Sequence, residues 1–342
     1  MSDFVLHIGR HKTGTSSLQH FLHLNRERLV AQGWYYPQAG LAPVAHHDIA
    51  RFLHMKQRKL LPLPERERLA QTVRALAKEV AGRREPVLLS SEAFQNCQPQ
   101  WVATRFAPGS TRVIVYIREQ VDYLVSSYQQ KVHATNYAES LHDYAAQVVV
   151  NYDAFLTRWE RVFGADRITV RPYSRERLRS GDIVADFAEV LGLDLAAGFE
   201  RPAEDQNPSI GGALLELKRC LNRCSGEART PRALYKAFSE LAAGDAAQRR
   251  KPVLDPAVAA EIHRSTQASN RRVFERHWGG DNVFDLATRG AARRGEPVGA
   301  EQMRALLESL RASAPTVHAQ LLPGDGGDPL AALGRELRAN LY

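Results

Sequence analysis

Cysteine and methionine are both scarce in this chain of 342 residues, with three of each. Cys97, Cys220 and Cys224 are too few for the disulfide framework of a small secreted domain. Cys220 and Cys224 stand about one helical turn apart, which favours burial on a shared helix face over a bridge. No histidine or acid cluster lies beside them in sequence, so neither a metal site nor a thiol nucleophile is expected there. Long apolar runs are also missing. One of the longest, Val113-Ile114-Val115-Tyr116-Ile117, falls far below the roughly 20 residues a membrane-spanning helix needs. The first motif begins almost at Met1, so no signal peptide or anchor is expected ahead of it. No internal repeat is visible.

The hydrophobic content of 44% suffices for a large core, either one big domain or two small ones. The formal net charge is +8, from 46 lysines and arginines against 38 aspartates and glutamates. The basic residues are mixed with acids, as in Arg66-Glu67-Arg68 and Arg175-Glu176-Arg177, and no basic stripe interleaved with aromatics appears, so nucleic acid is not an expected partner. The pairs Arg83-Arg84, Arg249-Arg250 and Arg271-Arg272 read as solvated faces. A basic cleft would suit a small ligand carrying several negative charges.

Such a ligand has an evident place. Phe4-Val5-Leu6 is a short apolar strand, His7-Ile8-Gly9-Arg10-His11-Lys12-Thr13-Gly14-Thr15-Ser16-Ser17 follows, and Leu18, Phe21, Leu22, Leu29 and Val30 recur at helical spacing. Strand, glycine turn and helix N-terminus together aim backbone N–H groups and the positive helix end at one spot. Gly9 and Gly14 match the spacing of the phosphate loop G-x-x-x-x-G-K-[ST], but Thr15 follows Gly14, and the lysine lies inside the loop at Lys12. A second motif comes later. Arg112-Val113-Ile114-Val115-Tyr116-Ile117 is a buried-strand pattern ending in Arg118. A helix then begins near Val121, and Ser126 lies eight residues after Arg118, with Ser127 as the neighbouring alternative. An arginine at a strand tip can fork two donors onto a phosphate, and a serine on the next helix adds a third.

Lys12-Thr13-Gly14-Thr15-Ser16 and the Arg118…Ser126 pair together resemble the sulfotransferases that use 3′-phosphoadenosine 5′-phosphosulfate (PAPS). The resemblance spans roughly residues 4–285 and is specific only in these two motifs. The glycine-rich R-K-G-x-x-G loop of eukaryotic cytosolic members is not found. The resemblance implies a three-layer α/β fold with a central parallel sheet, of the P-loop-like sulfotransferase type. It implies that Lys12, Thr13, Gly14, Thr15, Ser16 and Ser17 hold the 5′-phosphosulfate, that Arg118 and Ser126 hold the 3′-phosphate, and that Lys12 neutralises the charge on the departing adenosine 3′,5′-bisphosphate (PAP). No metal is required. A soluble, cytoplasmic, bacterial enzyme with a carbohydrate or glycolipid acceptor is the expectation.

Two candidates can take the acceptor proton. Glu92 follows the third strand tip, Val87-Leu88-Leu89-Ser90-Ser91, on the rim where open parallel sheets gather ligands. His47, with His46 beside it, lies in the region after the first helix, and a histidine near its ordinary pKa suits proton abstraction. Adjacent histidines do not project in one direction, so zinc is not favoured. Trp34, Tyr35, Tyr36, His46, His47, Trp101, His133 and Tyr137 could stack on sugar rings or simply pack. Two other functions stay open. An atypical nucleotide kinase or ATPase would bind Mg-ATP, although no apolar strand ends in an aspartate for magnesium. A non-catalytic protein would bind PAP and turn nothing over.

The predicted elements are strand 3–9, helix 14–31, a short strand at Trp34–Tyr36, a loop through His46 and His47, helix 65–82, strands 86–91 and 111–118, helix 121–134, helical segments over 137–162, strand 167–172 and helix 180–191 stopped by Gly192. Helices opening near Asn207-Pro208-Ser209 and over 256–277 follow. A sulfotransferase domain over 1–285 and a partly flexible extension over 286–342 are expected. Pro323–Pro329 reads as a link and Leu330–Tyr342 as a short amphipathic helix.

Overall fold

The computed structural model describes residues 3–202, 209–224, 229–284 and 299–316. In chain order these form β1 (Phe4–His7), α1 (Thr15–Leu24), α2 (Arg26–Ala31), α3 (His47–Leu53), α4 (Met55–Leu60), α5 (Leu63–Glu79), β2 (Val87–Ser90), α6 (Pro99–Ala103), β3 (Thr111–Ile117), α7 (Gln120–Ala134), α8 (Leu141–Gln147), α9 (Tyr152–Phe163), β4 (Ile168–Pro172), α10 (Ile183–Leu191), α11 (Gly212–Cys224), α12 (Arg232–Gly244), α13 (Pro256–His277) and α14 (Ala300–Ser313). They divide into two compact units. The first takes the described residues up to 119, those of 150–204 and those of 265–286; the second takes the described residues of 120–149, 205–264 and 287–342.

The first unit is a parallel α/β sheet in the order β2-β1-β3-β4. β3 reads Thr-Arg-Val-Ile-Val-Tyr-Ile and buries every residue except Arg112. Such a near-continuous apolar run marks a strand covered on both faces. On one face Val5, Leu88, Ile114 and Tyr116 share a core with Leu18, Phe21 and Leu22 of α1 and Phe187, Ala188 and Leu191 of α10. On the other, α9 packs on β3 and β4 and buries Phe155, Leu156 and Trp159. These are the expected three layers.

The differences from the sequence reading are tertiary in origin. The helix expected over 14–31 breaks at the buried Asn25, whose amide donates to the carbonyls of Phe21 and Glu200 (both 2.8 Å) and accepts from the Glu200 N–H. The strand expected at Trp34–Tyr36 is a single parallel bridge, Tyr35 to Val87. The loop expected through His46 and His47 ends earlier, because His47 opens α3. The helical segments expected over 137–162 are present as two helices, started by the Ser140–Asp143 capping box and by the Asn151 side chain. α10 stops at Gly192 in the left-handed conformation (φ 70°), as expected. Packing claims half of the eight aromatic and histidine residues offered for stacking. Trp34, Tyr36, His46 and His133 are buried, while Trp101 remains 41% exposed.

In the second unit α11 packs against α7 and α14, and α12 against α14. The sequence reading did not place α14. Lys218 is buried there, its ammonium on the carbonyls of Val132 (3.2 Å) and Thr135 (3.3 Å) and on Asn222 Oδ1. Burial pushes its pKa down to about 8. Cys97 and Cys220 are buried free thiols. The Cys224 side chain, Asn207-Pro208, the segment 285–298 around the expected domain boundary, Pro323–Pro329 and Leu330–Tyr342 lie outside the described residues. No described helix is long and apolar enough to cross a membrane.

Candidate functional site

The chain leaves β1 for β2 on one side and resumes at β3 on the other. The carboxyl end of β1 is therefore a topological switch point, the crevice where open α/β sheets place ligands. The loop from Gly9 to Gly14 sits there. Gly9 takes φ +44°, and a Cβ on it would stand 2.7 Å from Thr15 Cγ2 and 3.2 Å from Glu92 Cβ. Gly14 takes φ +72°, with a Cβ 2.9 Å from the Tyr173 ring. Both glycines are required by conformation and by close approach. Lys12 is also left-handed, at φ 67°. A side-chain-bearing residue held there is strained by about 1–2 kcal/mol, and such strain concentrates at functional sites.

Gly14 caps α1 without a side-chain hydrogen bond, so α1 opens at Thr15 directly on the loop. The first-turn N–H groups of Thr15, Ser16 and Ser17 have no intrahelical partner, and the helix dipole adds positive potential. The buried Thr13 hydroxyl donates to the Arg10 carbonyl (2.7 Å), which closes a turn within the loop. Arg118, just past β3, donates from Nη1 to the Lys12 carbonyl at 2.9 Å and places its guanidinium 5.6 Å from the Tyr173 ring centroid. The Tyr152 hydroxyl donates to the Arg118 carbonyl. Arg118 thus braces the strained residue as well as standing at the strand tip.

The two candidate bases, offered by the sequence as alternatives, are neighbours. His47 Nε2 lies 3.9 Å from Glu92 Oε1. His47 Nδ1 is paired with Ser91 Oγ at 2.8 Å, and that oxygen also accepts from the Ala93 N–H. Gln19, one turn after Thr15 on α1, donates its amide to Glu92 Oε2 at 2.7 Å. Burial raises the Glu92 carboxyl, but the His47 ring and the Gln19 hydrogen bond outweigh it, and Glu92 stays below its usual range. His11, given no role from sequence, is lowered mainly by burial, with Glu92 opposing. His46 is not a competitor. It is buried, with Nε2 on the Pro37 carbonyl (3.1 Å) and Nδ1 accepting from the Ser90 N–H (3.2 Å).

Ser126 is buried on α7, in the second unit. Its neighbour Ser127 turns its hydroxyl back onto the Tyr123 carbonyl at 2.7 Å. Sequence reasoning missed Gln19, Ser90, Ser91 and His7. Gln19 alone carried a signal, lying four residues beyond Thr15 and hence on the same helix face. Among the described residues no group of three or more metal-ligating side chains comes together.

No family model matches the sequence. The chain is similar to an uncharacterized protein of Archaeoglobus fulgidus, 25% identical over 208 residues, which are 59% of this chain and 56% of that one. The match thus spans little more than half the length of that relative. Among solved structures it is similar to a sulfotransferase from Alicyclobacillus acidocaldarius, with 17% identity, a TM-score of 0.37 and coverage of 61% of this chain and 87% of that chain. It is also similar to the sulfotransferase domain from the curacin biosynthetic pathway, with 13% identity, a TM-score of 0.35 and coverage of 78% and 97%.

Proposed function

We propose that this chain transfers the sulfuryl group of PAPS to an acceptor hydroxyl, of a carbohydrate or glycolipid. The observation that carries this reading is the left-handed Lys12, held in a glycine loop at the N-terminus of α1 and braced by Arg118 next to a Glu92–His47 pair. Lysine in that place, instead of after the second glycine, matches the phosphosulfate loop better than a nucleoside triphosphatase loop.

In this reading the first-turn N–H groups of α1 hold the 5′-phosphosulfate, and Arg118 holds the 3′-phosphate. The acceptor oxygen forms a bond to sulfur as the bond from sulfur to the phosphate oxygen of PAP breaks. The Lys12 ammonium meets the negative charge growing on that departing oxygen. The acceptor proton passes to the His47–Glu92 pair, where the carboxylate stabilises the imidazolium or takes the proton itself. The lowered Glu92 carboxyl is ionised at neutral pH, as either role requires. Positioning and charge stabilisation do the rest, as in phosphoryl transfer.

Calorimetric titration with PAP, and with ADP and Mg-ATP in parallel, tests the donor. The expected result is PAP binding without metal and weaker ADP binding. Preference for Mg-ATP would sink the reading. Arg118→Ala is expected to weaken PAP roughly 10- to 100-fold, the worth of charge-assisted hydrogen bonds of about 1.5–3 kcal/mol. An unchanged PAP affinity would remove Arg118 from the 3′-phosphate site and leave it as a loop brace. Glu92→Gln and His47→Asn are each expected to lower PAP release from PAPS with acceptor by about 10²–10⁴-fold, while PAP affinity holds. Loss of PAP affinity in both variants would make the pair structural.

A further inference from the structure

The corner between α4 and α5 runs Leu60-Leu61-Pro62-Leu63-Pro64, five consecutive apolar residues. Leu60 is 85% and Leu63 59% exposed. Single exposed leucines are ordinary, but a contiguous exposed apolar run is a fault in a soluble surface unless it has a use. The corner is flanked by cations. Lys56, Arg58 and Lys59 precede it on α4, and Arg66 follows it on α5. The Arg58 guanidinium lies 4.3 Å and that of Arg105 5.9 Å from the Phe52 ring centroid, so one aromatic side chain gathers two like charges. Among the described residues none of these five cations enters a salt bridge. The nearby carboxylates Asp48 and Glu65 are taken by Arg51 and Arg68 instead. Burial and the like charges of Arg105 and Arg66 lower the Arg58 pKa, which marks an uncompensated positive cluster.

We propose that this corner is a docking surface for an anionic lipid bilayer, with Leu60 and Leu63 entering the headgroup boundary and the five cations meeting lipid phosphates. Apolar tips with a basic rim are the chemistry of interfacial attachment. A second copy of the chain would bring the same positive rim against itself. A free polyanion would use the cations and leave the leucine–proline tip idle. The corner is also close to the site, because α3 carries Phe52 near its end and His47 at its start, about 7.5 Å of helix apart.

The test is co-sedimentation of the full chain with vesicles of phosphatidylcholine alone and of phosphatidylcholine mixed with phosphatidylglycerol. The expected result is binding to the mixed vesicles that weakens as salt is raised. Lys56→Gln with Lys59→Gln is expected to lower partitioning roughly 10- to 30-fold, from about 1 kcal/mol per cation. Leu60→Asp with Leu63→Asp is expected to lower it more than about tenfold, from the loss of two leucines that enter the bilayer, with the thermal melting point unchanged because both side chains are exposed in the free protein. Each of these results would overturn the proposal: no binding to mixed vesicles, leucine variants that bind as well as wild type, or retention on a soluble polyanion such as heparin without vesicle binding. A dimer that the leucine variants dissociate would also overturn it and assign the corner to self-association. Vesicle binding needs no donor, so its failure and the failure of PAP binding are separately readable.

Discussion

Lys12→Ala is expected to lower PAP release from PAPS by about 10²–10³-fold, the usual worth of one group aimed at developing charge in a closed site. The loop geometry allows this to be separated from damage to the fold. The Lys12 carbonyl, which receives Arg118, is backbone and survives any substitution. The left-handed backbone at φ 67° costs alanine about what it costs lysine, so the alanine variant keeps the loop. Glycine removes that strain. Lys12→Gly is therefore expected to be as stable as wild type or up to about 1–2 kcal/mol more stable, yet as inactive as Lys12→Ala. A stabilised, inactive enzyme would mean that strain is maintained here for the sake of the ammonium group. Urea unfolding and PAP release on the same three proteins decide it. If Lys12→Gly turned over like wild type, the ammonium would carry no charge stabilisation, and the loop would act through its N–H groups alone. Retained activity in Lys12→Arg would show that charge suffices without the exact reach of lysine.

The parts of this arrangement that the sequence disclosed are the local ones. Arg112–Ile117 announces a buried strand because β-branched residues crowd into it, and Gly9 and Gly14 announce a loop because their spacing has one common use. The unexpected parts are made by contacts between distant segments. His47 and Ser91 are 44 residues apart, and their pairing follows from α3 lying beside the tip of β2. The Glu92–His47 pair is a consequence of that contact and has no local signature. Asn25 breaks a helix through a partner 175 residues away. The left-handed state of Lys12 was also illegible, because nothing in a lysine asks for positive φ. It is imposed by the glycines on either side and by Arg118.

Acidification is expected to destabilise the protein steeply below about pH 6.5 through His7 and His46. Both are buried and flank one residue. His7 Nδ1 pairs with Ser90 Oγ at 2.8 Å, and its Nε2 has no partner among the described residues. His46 Nδ1 accepts the Ser90 N–H at 3.2 Å, and the His46 backbone N–H donates to the Ser90 carbonyl at 2.8 Å. Burial pushes the pKa of His7 down to about 4, against an opposing pull from Glu92, and that of His46 down to about 3. The folded values lie below the ordinary histidine value of the unfolded chain. The unfolded chain therefore binds more protons between about pH 6.5 and those values, and stability rises with pH across that window. The stability contributed is complete above about pH 6.5 and is lost as pH falls. At about 1.4 kcal/mol per unit it amounts to roughly 3 kcal/mol for His7 and 5 for His46. A domain at the lower end of the usual range of about 5–15 kcal/mol then unfolds before either histidine reaches its folded pKa. Because Ser90 leads straight into Ser91 and Glu92, activity is expected to disappear with the fold, at a higher pH than carboxylate protonation alone would give. Urea midpoints taken from neutral pH down to about pH 4 measure the slope. His46→Asn keeps an acceptor for the Ser90 N–H without a titrating ring. At neutral pH it is expected to be less stable than wild type by about 1–3 kcal/mol, for the lost bond to Pro37. Its stability should fall less steeply with acid, so that the two curves converge and cross as pH drops. Parallel curves for wild type, His46→Asn and His7→Asn would show that the acid response comes from surface carboxylates and not from the pair of histidines around Ser90.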